Sequence, residues 1–401
     1  MTQTRNTNCV VTRLTPQGRG AVAVLHVEGA SGVACVGKYF VATAGRPLAS
    51  VPLDRIVFGR WGQADGNGEE IVVCRTSETS LEVNCHGGVA AARAIVNALV
   101  ADGAVEQTAE SWVCSHSGCS FEAEAWLALA VARTERTAAM LLDQYRGALR
   151  DTVEGAIEEL KRGDSVEAGS RLTKLLARGD IGLHLTKPWR VVFAGPPNVG
   201  KSSLMNCLLG YQRSIVFDQP GTTRDLLSAP TAFDGWSLEL TDTAGLRESE
   251  DAIELEGVSR ATNFLTEADL TVLVFDATCG WETQHEQLLA AYPKALAVIN
   301  KCDLQEVARG GRDFLATSAL TGDGVPELTQ RIVKQLVCHE LVPGEAVPFT
   351  ARQLHAIEAA RQAIDNGQLT VAIASLEDLN FHRSQHRPNL QSSAEATINN
   401  L

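Results

Sequence analysis

The stretch RVVFAGPPNVGKSSLMNCLLG at residues 190–210 decides the fold of the central part of this chain. It begins as an apolar run typical of a buried strand and continues, after a Gly-rich turn, as a helix ending at Gly210. The turn matches G-x-x-x-x-G-K-[ST], a loop whose backbone N–H groups surround phosphate oxygens. Lys201 supplies charge for the β- and γ-phosphates, and Ser202 supplies a hydroxyl for Mg²⁺. The strand–loop–helix context disfavours the alternative, a Gly-rich turn with a chance lysine.

Two motifs that would serve the phosphates follow along the chain. GTTRD at residues 221–225 lies between the loop and the next strand, where a switch segment would cover the phosphates. DTAG at residues 242–245 ends an apolar strand, where the Asp242 carboxylate can hold a magnesium-bound water. The amide of Gly245 can then sense the γ-phosphate.

Two further motifs would select the base. NKCD at residues 300–303 ends another apolar strand, where Asp303 can accept hydrogen bonds from guanine while Lys301 lies along the base. SAL at residues 318–320 offers a backbone amide to the guanine oxygen. Each motif is weak alone, but their order and spacing predict a guanine-nucleotide domain.

The flanking regions have different patterns. The N-terminal part alternates short β-like runs, VVTRL, AVAVLHV, RIVFGRW, EIVVCRT and SLEVNCH, before a helix that closes on Gly103, which predicts an α+β module. Residues 121–180 have apolar side chains at helical spacing and predict two or three bundle helices with breaks near Gly163 and Gly179. Residues 350–379 are again helical and could pack back on that bundle.

These patterns predict five segments along the chain. They are an N-terminal α+β domain at 1–116, a first helical part at 117–187, a nucleotide-binding domain at 188–340, a second helical part at 341–380 and a flexible tail at 381–401.

The composition excludes several classes of protein. Lys and Arg number 35 against 48 Asp and Glu, a formal net charge of −13, which argues against a non-specific nucleic-acid binder and predicts no DNA partner. No apolar stretch reaches the roughly 18 residues of a membrane span, and no signal-peptide core is present, so a cytoplasmic protein is predicted. Ten cysteines in 401 residues are too few for a disulfide scaffold and are expected to be reduced.

The nucleotide motifs GPPNVGKSSL, GTTRD, DTAGLR, NKCD and SAL together resemble the translation-factor-related GTPases, specifically the MnmE (TrmE) family of tRNA modification GTPases. TRLTPQGRGAVAVLHVEG and SLEVNCHGG are similar to that family's N-terminal segments. The resemblance implies a multidomain fold: an α+β N-terminal folate-binding domain, an all-α helical domain split in sequence, and an inserted α/β P-loop (Ras-like) G domain.

The resemblance also implies an activity. Family members hydrolyse GTP when two G domains dimerise around K⁺, and they modify wobble uridine in tRNA with the flavoprotein MnmG. Where Ras-like enzymes carry a water-orienting Gln, this chain has Leu246, and the resemblance assigns the catalytic role to Glu254. From the sequence alone, a solvated carboxylate on a switch helix is the alternative for Glu254.

The resemblance assigns cation ligands as well. Mg²⁺ would be bound by Ser202 and Thr223, and K⁺ by Asn198, Phe217, Gln219 and Thr222. The residues predicted to contact GTP are Asn198, Val199, Gly200, Lys201, Ser202, Ser203, Phe217, Asp218, Gln219, Gly221, Thr222, Thr223, Asp242, Thr243, Ala244, Gly245, Asn300, Lys301, Asp303, Ser318 and Ala319.

The sequence departs from the family pattern at the folate site and near its end. His26 aligns with a folate-contacting Arg, and Glu82 retains the acidic partner, but a stretch carrying a contacting Lys is missing after SHSGCSFE. The final residues, ATINNL, lack the family's Cys-x-Gly-Lys motif. These departures disfavour folate binding. The alternatives are a divergent GTPase switch or scaffold without folate binding or tRNA modification and, least favoured, a protein that only binds nucleotide.

Overall fold

The computed structural model describes residues 8–16, 20–62, 68–211, 228–242, 268–305 and 314–379. The chain divides into two compact units, Met1–Ser117 and Gly118–Leu401. Among the described residues, every helix is too short or too polar to cross a membrane.

The first unit contains a seven-stranded sheet in the order β3-β4-β5-β6-β2-β1-β7. The strands are β1 Val10–Arg13, β2 Val22–Glu28, β3 Phe40–Ala42, β4 Ile56–Trp61, β5 Glu69–Arg75, β6 Ser80–His86 and β7 Val105–Gln107. Neighbouring strands are antiparallel except β1 and β7, which are parallel. The five β-like runs of the sequence are therefore confirmed as strands.

Alternation along β2 gives the sheet of the first unit two distinct faces. Ala23, Leu25 and Val27 are fully buried in a core with residues of α2 (Val89–Ala101), and α1 (Gly32–Gly37) packs nearby. His26 and Glu28 lie on the opposite face, because successive strand side chains alternate. That face receives Trp112 from α3 (Ala109–His116).

The second unit begins with helices. They are α4 Ser120–Leu129, α5 Glu135–Tyr145, α6 Ala148–Lys161, α7 Ser165–Ala177 and the single-turn α8 Gly179–Leu183. The prediction of two or three helices was wrong, although the breaks near Gly163 and Gly179 are confirmed. Two local features create the two extra breaks, one before α5 and one before α6. Thr134 caps α5 reciprocally with Thr137, and Gly147 adopts a left-handed φ of +113° before α6.

The helices after the nucleotide-binding segment, α12 Ala351–Asp365 and α13 Leu369–Glu377, pack on α6 and α7. Lys161 Nζ lies 2.8 Å from Glu377 Oε1, and Arg361 Nε donates to Thr173 Oγ1 at 3.1 Å. The segment before α12 also returns to the bundle, where Arg178 Nη1 donates to the carbonyl of Ala346 at 3.1 Å.

A six-stranded sheet lies between the two helical segments, in the order β13-β12-β11-β8-β10-β9. Its strands are β8 Trp189–Ala194, β9 Ser228–Phe233, β10 Trp236–Asp242, β11 Leu270–Asp276, β12 Leu296–Asn300 and β13 Leu315–Ala316. All pairs are parallel except β9 and β10. The helices of this segment are α9 Lys201–Tyr211, α10 Thr283–Ala291 and α11 Val325–Leu336. Ligands of such sheets bind outside the carboxyl ends of the parallel strands, which is where Lys201, Asp242 and Asn300 lie.

Candidate nucleotide-binding site

The Gly-rich loop between β8 and α9 depends on two glycines that have no room for a side chain. A Cβ on Gly195, at φ +141°, would lie 2.2 Å from the carbonyl oxygen of Val274. A Cβ on Gly200, at φ +89°, would lie 2.5 Å from Asn300 Nδ2. The loop is therefore pressed against β11 and β12, so both glycines of the motif are required by close approach.

The charged and hydroxyl groups of the motif, Lys201 and Ser202, lie at the start of α9. The buried Lys201 folds back over the loop, and its Nζ donates to the carbonyls of Gly195 at 3.2 Å and Pro196 at 2.8 Å. The Ser202 hydroxyl donates to Asp242 Oδ2 at the end of β10. Asp242 is only 5% exposed. The structure thus brings together two oxygen groups, the donor type that Mg²⁺ prefers.

Asn300 connects the loop to the SAL segment. The residue is 1% exposed, and its Nδ2 donates to the carbonyl of Val199 at 3.0 Å. Its Oδ1 accepts from the backbone N–H of Ala319 at 3.1 Å. Both ends of this side-chain amide are therefore bonded to backbone, so Asn300 fixes the phosphate loop and the base-reading loop relative to each other.

Lys301 connects the Gly-rich loop to the end of β11. It has a left-handed φ of +64°, and its Nζ donates to the carbonyl of Asn198 at 2.9 Å and lies 2.5 Å from Asp276 Oδ2. Burial raises the pKa of Asp276, but hydrogen bonds from Lys301 and Thr278 outweigh burial and hold that pKa below its usual value. The sequence reasoning missed Asp276. The available signal was its position at the end of β11, where it pairs in register with Asn300.

Asp303 lies beside the SAL segment. The buried Ser318 donates its hydroxyl to Asp303 Oδ1 at 2.5 Å and accepts from the Thr321 N–H at 3.1 Å. Asp303 itself is exposed, as are Asn198 and Ser203. An exposed carboxylate held by a hydroxyl of the adjacent loop can accept hydrogen bonds from a base.

The remaining predicted nucleotide and cation residues lie outside the described part of the chain. They are Phe217, Asp218, Gln219, Gly221, Thr222, Thr223, Thr243, Ala244, Gly245 and Glu254. Their assignments stay predictions.

The predicted folate pair lies in the first unit. His26 on β2 is directly opposite Glu82 on β6. His26 Nε2 lies 3.5 Å from Glu28 Oε2, and His116 Nε2 lies 3.0 Å from the same oxygen. Hydrogen bonds from His116, and then from His26, lower the pKa of Glu28 to about 2. The sequence reasoning missed Glu28 and His116; spacing placed Glu28 on the face of His26, but nothing in the sequence linked His116 to them.

A family model matches part of the segment that contains the six-stranded sheet, and two relatives match most of the chain. The family described as 50S ribosome-binding GTPase matches residues 190–301. The tRNA modification GTPase MnmE of Geobacillus thermodenitrificans is 30% identical over 91% of this chain and 90% of the relative. The protein of the same name from Carboxydothermus hydrogenoformans is 28% identical over 88% of this chain and 89% of the relative.

Among solved structures, the chain is similar to Era of Aquifex aeolicus bound to GDP and AlF₄⁻. The identity is 30%, the coverage is 43% of this chain and 66% of that chain, and the TM-score is 0.30.

Proposed function

This chain belongs to the tRNA modification GTPase MnmE family, and on that premise we propose that it binds and hydrolyses GTP in the service of tRNA modification. The observation that carries the proposal is the Asn300 junction, in which one buried amide bonds the phosphate loop at Val199 and the base-reading loop at Ala319. This arrangement presets the distance between a triphosphate and a purine base before either binds.

The Ser202–Asp242 pair fits Mg²⁺, because an oxygen group at the start of α9 and one at the end of β10 already lie in hydrogen-bond contact. In our proposal Ser202 and Thr223 are direct ligands, and Asp242 holds a magnesium-bound water. The ion, when bound, neutralises charge on the β- and γ-phosphates. Lys201 adds its charge at the same phosphates, and Asp303 reads the guanine N–H groups.

We propose that hydrolysis requires Glu254 and K⁺, since Leu246 cannot orient water by hydrogen bonding. Asn198 is assigned to K⁺ with Phe217, Gln219 and Thr222. The backbone and the exposure of Asn198 support this role. The residue has a left-handed φ of +62°, and its carbonyl oxygen accepts a hydrogen bond from Lys301. The residue nevertheless remains exposed. The exposed amide can therefore serve a cation at the surface where a second G domain would dock.

Our proposal for the biological role rests on membership of the MnmE family. We propose wobble-uridine modification of tRNA in the cytoplasm by a homodimer acting with the flavoprotein MnmG. The proposed division of labour follows the five predicted segments, with an N-terminal domain at 1–116, a helical domain at 117–187 and 341–380, a G domain at 188–340 and a tail at 381–401.

The proposed mechanism is tested by measuring steady-state GTP turnover in KCl and in NaCl at equal ionic strength. We expect faster turnover in KCl, and we expect Glu254→Ala to abolish the stimulation while leaving GTP affinity unchanged. Glu256→Ala, two residues away, is the matched control and should behave as wild type. Equal rates in the two salts would reject the potassium role, and an active Glu254→Ala variant would reject the assignment of Glu254.

A second candidate is a GTP-dependent switch or scaffold of the same family without one-carbon folate chemistry. The observation that favours it is His26, whose Nε2 lies 3.5 Å from Glu28 Oε2 within a histidine–carboxylate cluster. Complementation of cells that lack the modification GTPase separates the two. Restored wobble-uridine modification supports the first candidate, whereas GTP turnover without restoration supports the second.

A further inference from the structure

The strongest unassigned feature of the molecule is a cluster of His26, Glu28 and His116 in the first unit. The Nε2 atoms of both histidines converge on one carboxylate oxygen, Glu28 Oε2, at 3.5 Å and 3.0 Å. One possible ligand atom from each of the three residues lies within 4.8 Å of the other two. None of these residues belongs to the nucleotide site.

The spacing of these atoms fits one particular kind of site. Zn²⁺ in proteins is bound at about 2.0–2.2 Å by His nitrogen and carboxylate oxygen in tetrahedral geometry. Two ligand atoms of such a tetrahedron are about 3.3 Å apart, which follows from those bond lengths. The two distances to Glu28 Oε2, 3.0 Å and 3.5 Å, bracket that value.

A hydrogen bond to the backbone orients the His116 ring toward Glu28. Its Nδ1 lies 2.9 Å from the carbonyl oxygen of Trp112, one helical turn earlier. A carbonyl can only accept a hydrogen bond, so Nδ1 carries a proton, and Nε2, which donates to Glu28 in the metal-free cluster, is the nitrogen that can bind a metal once it loses its proton. The Trp112 ring stacks on the imidazole with centroids 4.3 Å apart and restricts its rotation. A ligating histidine is typically oriented in this way by its second nitrogen.

Burial and ligand type narrow the choice of ion. The side chains of His26, His116 and Glu28 are 10%, 17% and 29% exposed, so the cluster is sheltered but reachable from solvent. Two imidazoles with one carboxylate suit zinc and its neighbours, whereas Mg²⁺ and Ca²⁺ prefer oxygen ligands throughout.

We propose that His26, Glu28 and His116 bind one zinc ion, with a fourth position open to water. Three protein ligands and an open position are the arrangement of reactive zinc sites rather than closed structural ones. The site would give the N-terminal unit a function independent of GTP. The competing explanation is a hydrogen-bonded triad that binds no metal, and the experiment below distinguishes the two.

The experiment titrates the full-length chain with ZnSO₄ in competition with a chromophoric zinc chelator, after EDTA treatment and desalting. Excess MgCl₂ and GDP are included so that cation ligands in the nucleotide site are not counted. We expect wild type to bind one more zinc ion per chain than Glu28→Gln or His116→Gln. Loss of a mere orienting partner lowers metal affinity 10–100-fold, so loss of a direct ligand should lower it by about 100-fold or more.

Two matched variants control for other groups that could bind zinc. His86→Gln removes an exposed histidine whose Nδ1 lies 2.5 Å from Glu69 Oε1. Cys114→Ser removes the exposed thiol two residues from His116. Both variants should retain the wild-type stoichiometry and affinity. Loss of the extra ion in Cys114→Ser, with retention in His116→Gln, would overturn the proposal in favour of a thiolate site.

Cobalt substitution keeps the proposal falsifiable if the ligand variants do not fold, which circular dichroism will reveal. Wild type loaded with CoSO₄ should show the visible bands of four- or five-coordinate cobalt without the near-ultraviolet charge-transfer band of thiolate ligation. A wild-type chain that binds no equivalent of zinc, or a cobalt spectrum dominated by thiolate, would show that the cluster is a hydrogen-bonded triad only.

Discussion

The nucleotide site and the histidine–glutamate cluster differ in how their parts are connected. In the nucleotide site, side-chain pairs such as Ser202–Asp242 are joined by side chains that bond the backbone of another loop: Asn300 to Val199 and Ala319, and Lys301 to Asn198. In the cluster, side chains meet side chains, and 88 residues separate His116 from its carboxylate partner. A site fixed to the backbone is encoded in short motifs, because each motif carries its own loop geometry. A side-chain cluster exists only once the strands and helix have assembled.

The two arrangements should also respond differently to solution conditions. The Asn300 bonds join neutral amides, whose strength does not change with pH between the titrations of acids and bases. The cluster joins a carboxylate to two imidazoles, and the hydrogen bond between Glu28 and His116 lowers the pKa of Glu28 and raises the pKa of His116. Four substitutions test this contrast.

Asp303→Asn should give the largest effect, because it removes the carboxylate assigned to guanine recognition. Hydrogen bonds to charged groups contribute about 1.5–3 kcal/mol each, so losing two should weaken GTP by about 100-fold or more. Xanthosine triphosphate, which presents a carbonyl where guanine has an amino group, should bind more tightly to the variant. Equilibrium titration with both nucleotides provides the measurement. Asp323→Asn, on the adjacent exposed loop, is the control, and unchanged selectivity in Asp303→Asn would refute base reading by this residue.

Ser202→Ala should raise the Mg²⁺ concentration needed for half-maximal GTP turnover by about 10-fold, because one hydroxyl ligand is lost from an oxygen-rich site. Ser202→Thr retains the hydroxyl and should restore the wild-type Mg²⁺ requirement. The measurement is GTP turnover against MgCl₂ concentration at fixed nucleotide. If Ala and Thr variants behave alike, the hydroxyl beside Asp242 has no role in holding the ion.

Asn300→Ala should lower the free energy of unfolding by about 2 kcal/mol, because the buried carbonyl of Val199 and the half-buried N–H of Ala319 lose their Asn300 partner. Asn300→Asp keeps an acceptor for Ala319 but cannot donate to Val199. Because Asn300 is 1% exposed, the variant also buries a charge, and its loss of stability should be larger than that of the Ala variant. Urea unfolding followed by circular dichroism measures both. A wild-type midpoint for the Ala variant would show that the junction adds nothing to stability, and the contrast between the two sites would fail.

His116→Gln should lower stability by about 1–2 kcal/mol, less than a fully buried pair would, because the carboxylate is partly solvated. The folded pKa of Glu28 is lowered from 4.5 to about 2, so its contribution is present above pH 4.5 and is lost as the pH falls toward 2. The hydrogen bond that His116 donates to Glu28 raises the pKa of His116 above 6.5, so that contribution is present below pH 6.5 and is lost as the pH rises through the raised value. The stability difference between wild type and variant should therefore be greatest between pH 4.5 and 6.5.

Thermal unfolding of both proteins in EDTA across this pH range provides the test of the His116→Gln prediction. His86→Gln removes one member of the exposed His86–Glu69 pair in the same unit, and it should change stability by less than about 0.5 kcal/mol at every pH. A stability difference that is flat with pH for His116→Gln would mean that the cluster acts through packing of the Trp112–His116 stack rather than through charge.

The same contrast explains which contacts of the fold and of the two sites can be predicted from the sequence. Asn300, Asp303 and Ser318 could be placed beside the phosphate loop because the carboxyl ends of parallel strands meet at one edge. Glu28 and His116 could not be paired, since their contact depends on where α3 packs across β2. The strand runs were readable because burial imposes alternation or continuous apolarity.

The number of bundle helices was misjudged for a local reason. One amphipathic pattern runs through residues 121–180, and periodicity alone does not report where it is interrupted. The interruption at Thr134 depends on a reciprocal cap with Thr137, and the one at Gly147 depends on a left-handed φ. Such features are visible only when backbone dihedrals are known.

The contact of Arg178 with Glu345 and Ala346 has a consequence for the order of folding. Arg178 Nη2 lies 2.6 Å from Glu345 Oε1, so the chain leaves the helical bundle and re-enters it at the same place. If the intervening segment were a flexible loop of roughly 150 residues, closing it would cost about 4 kcal/mol of entropy. A nucleotide-binding sheet that folds first brings its own ends together and removes that cost. We therefore expect the intervening sheet to fold before α12 and α13 pack on the helices α4–α8 and complete the bundle.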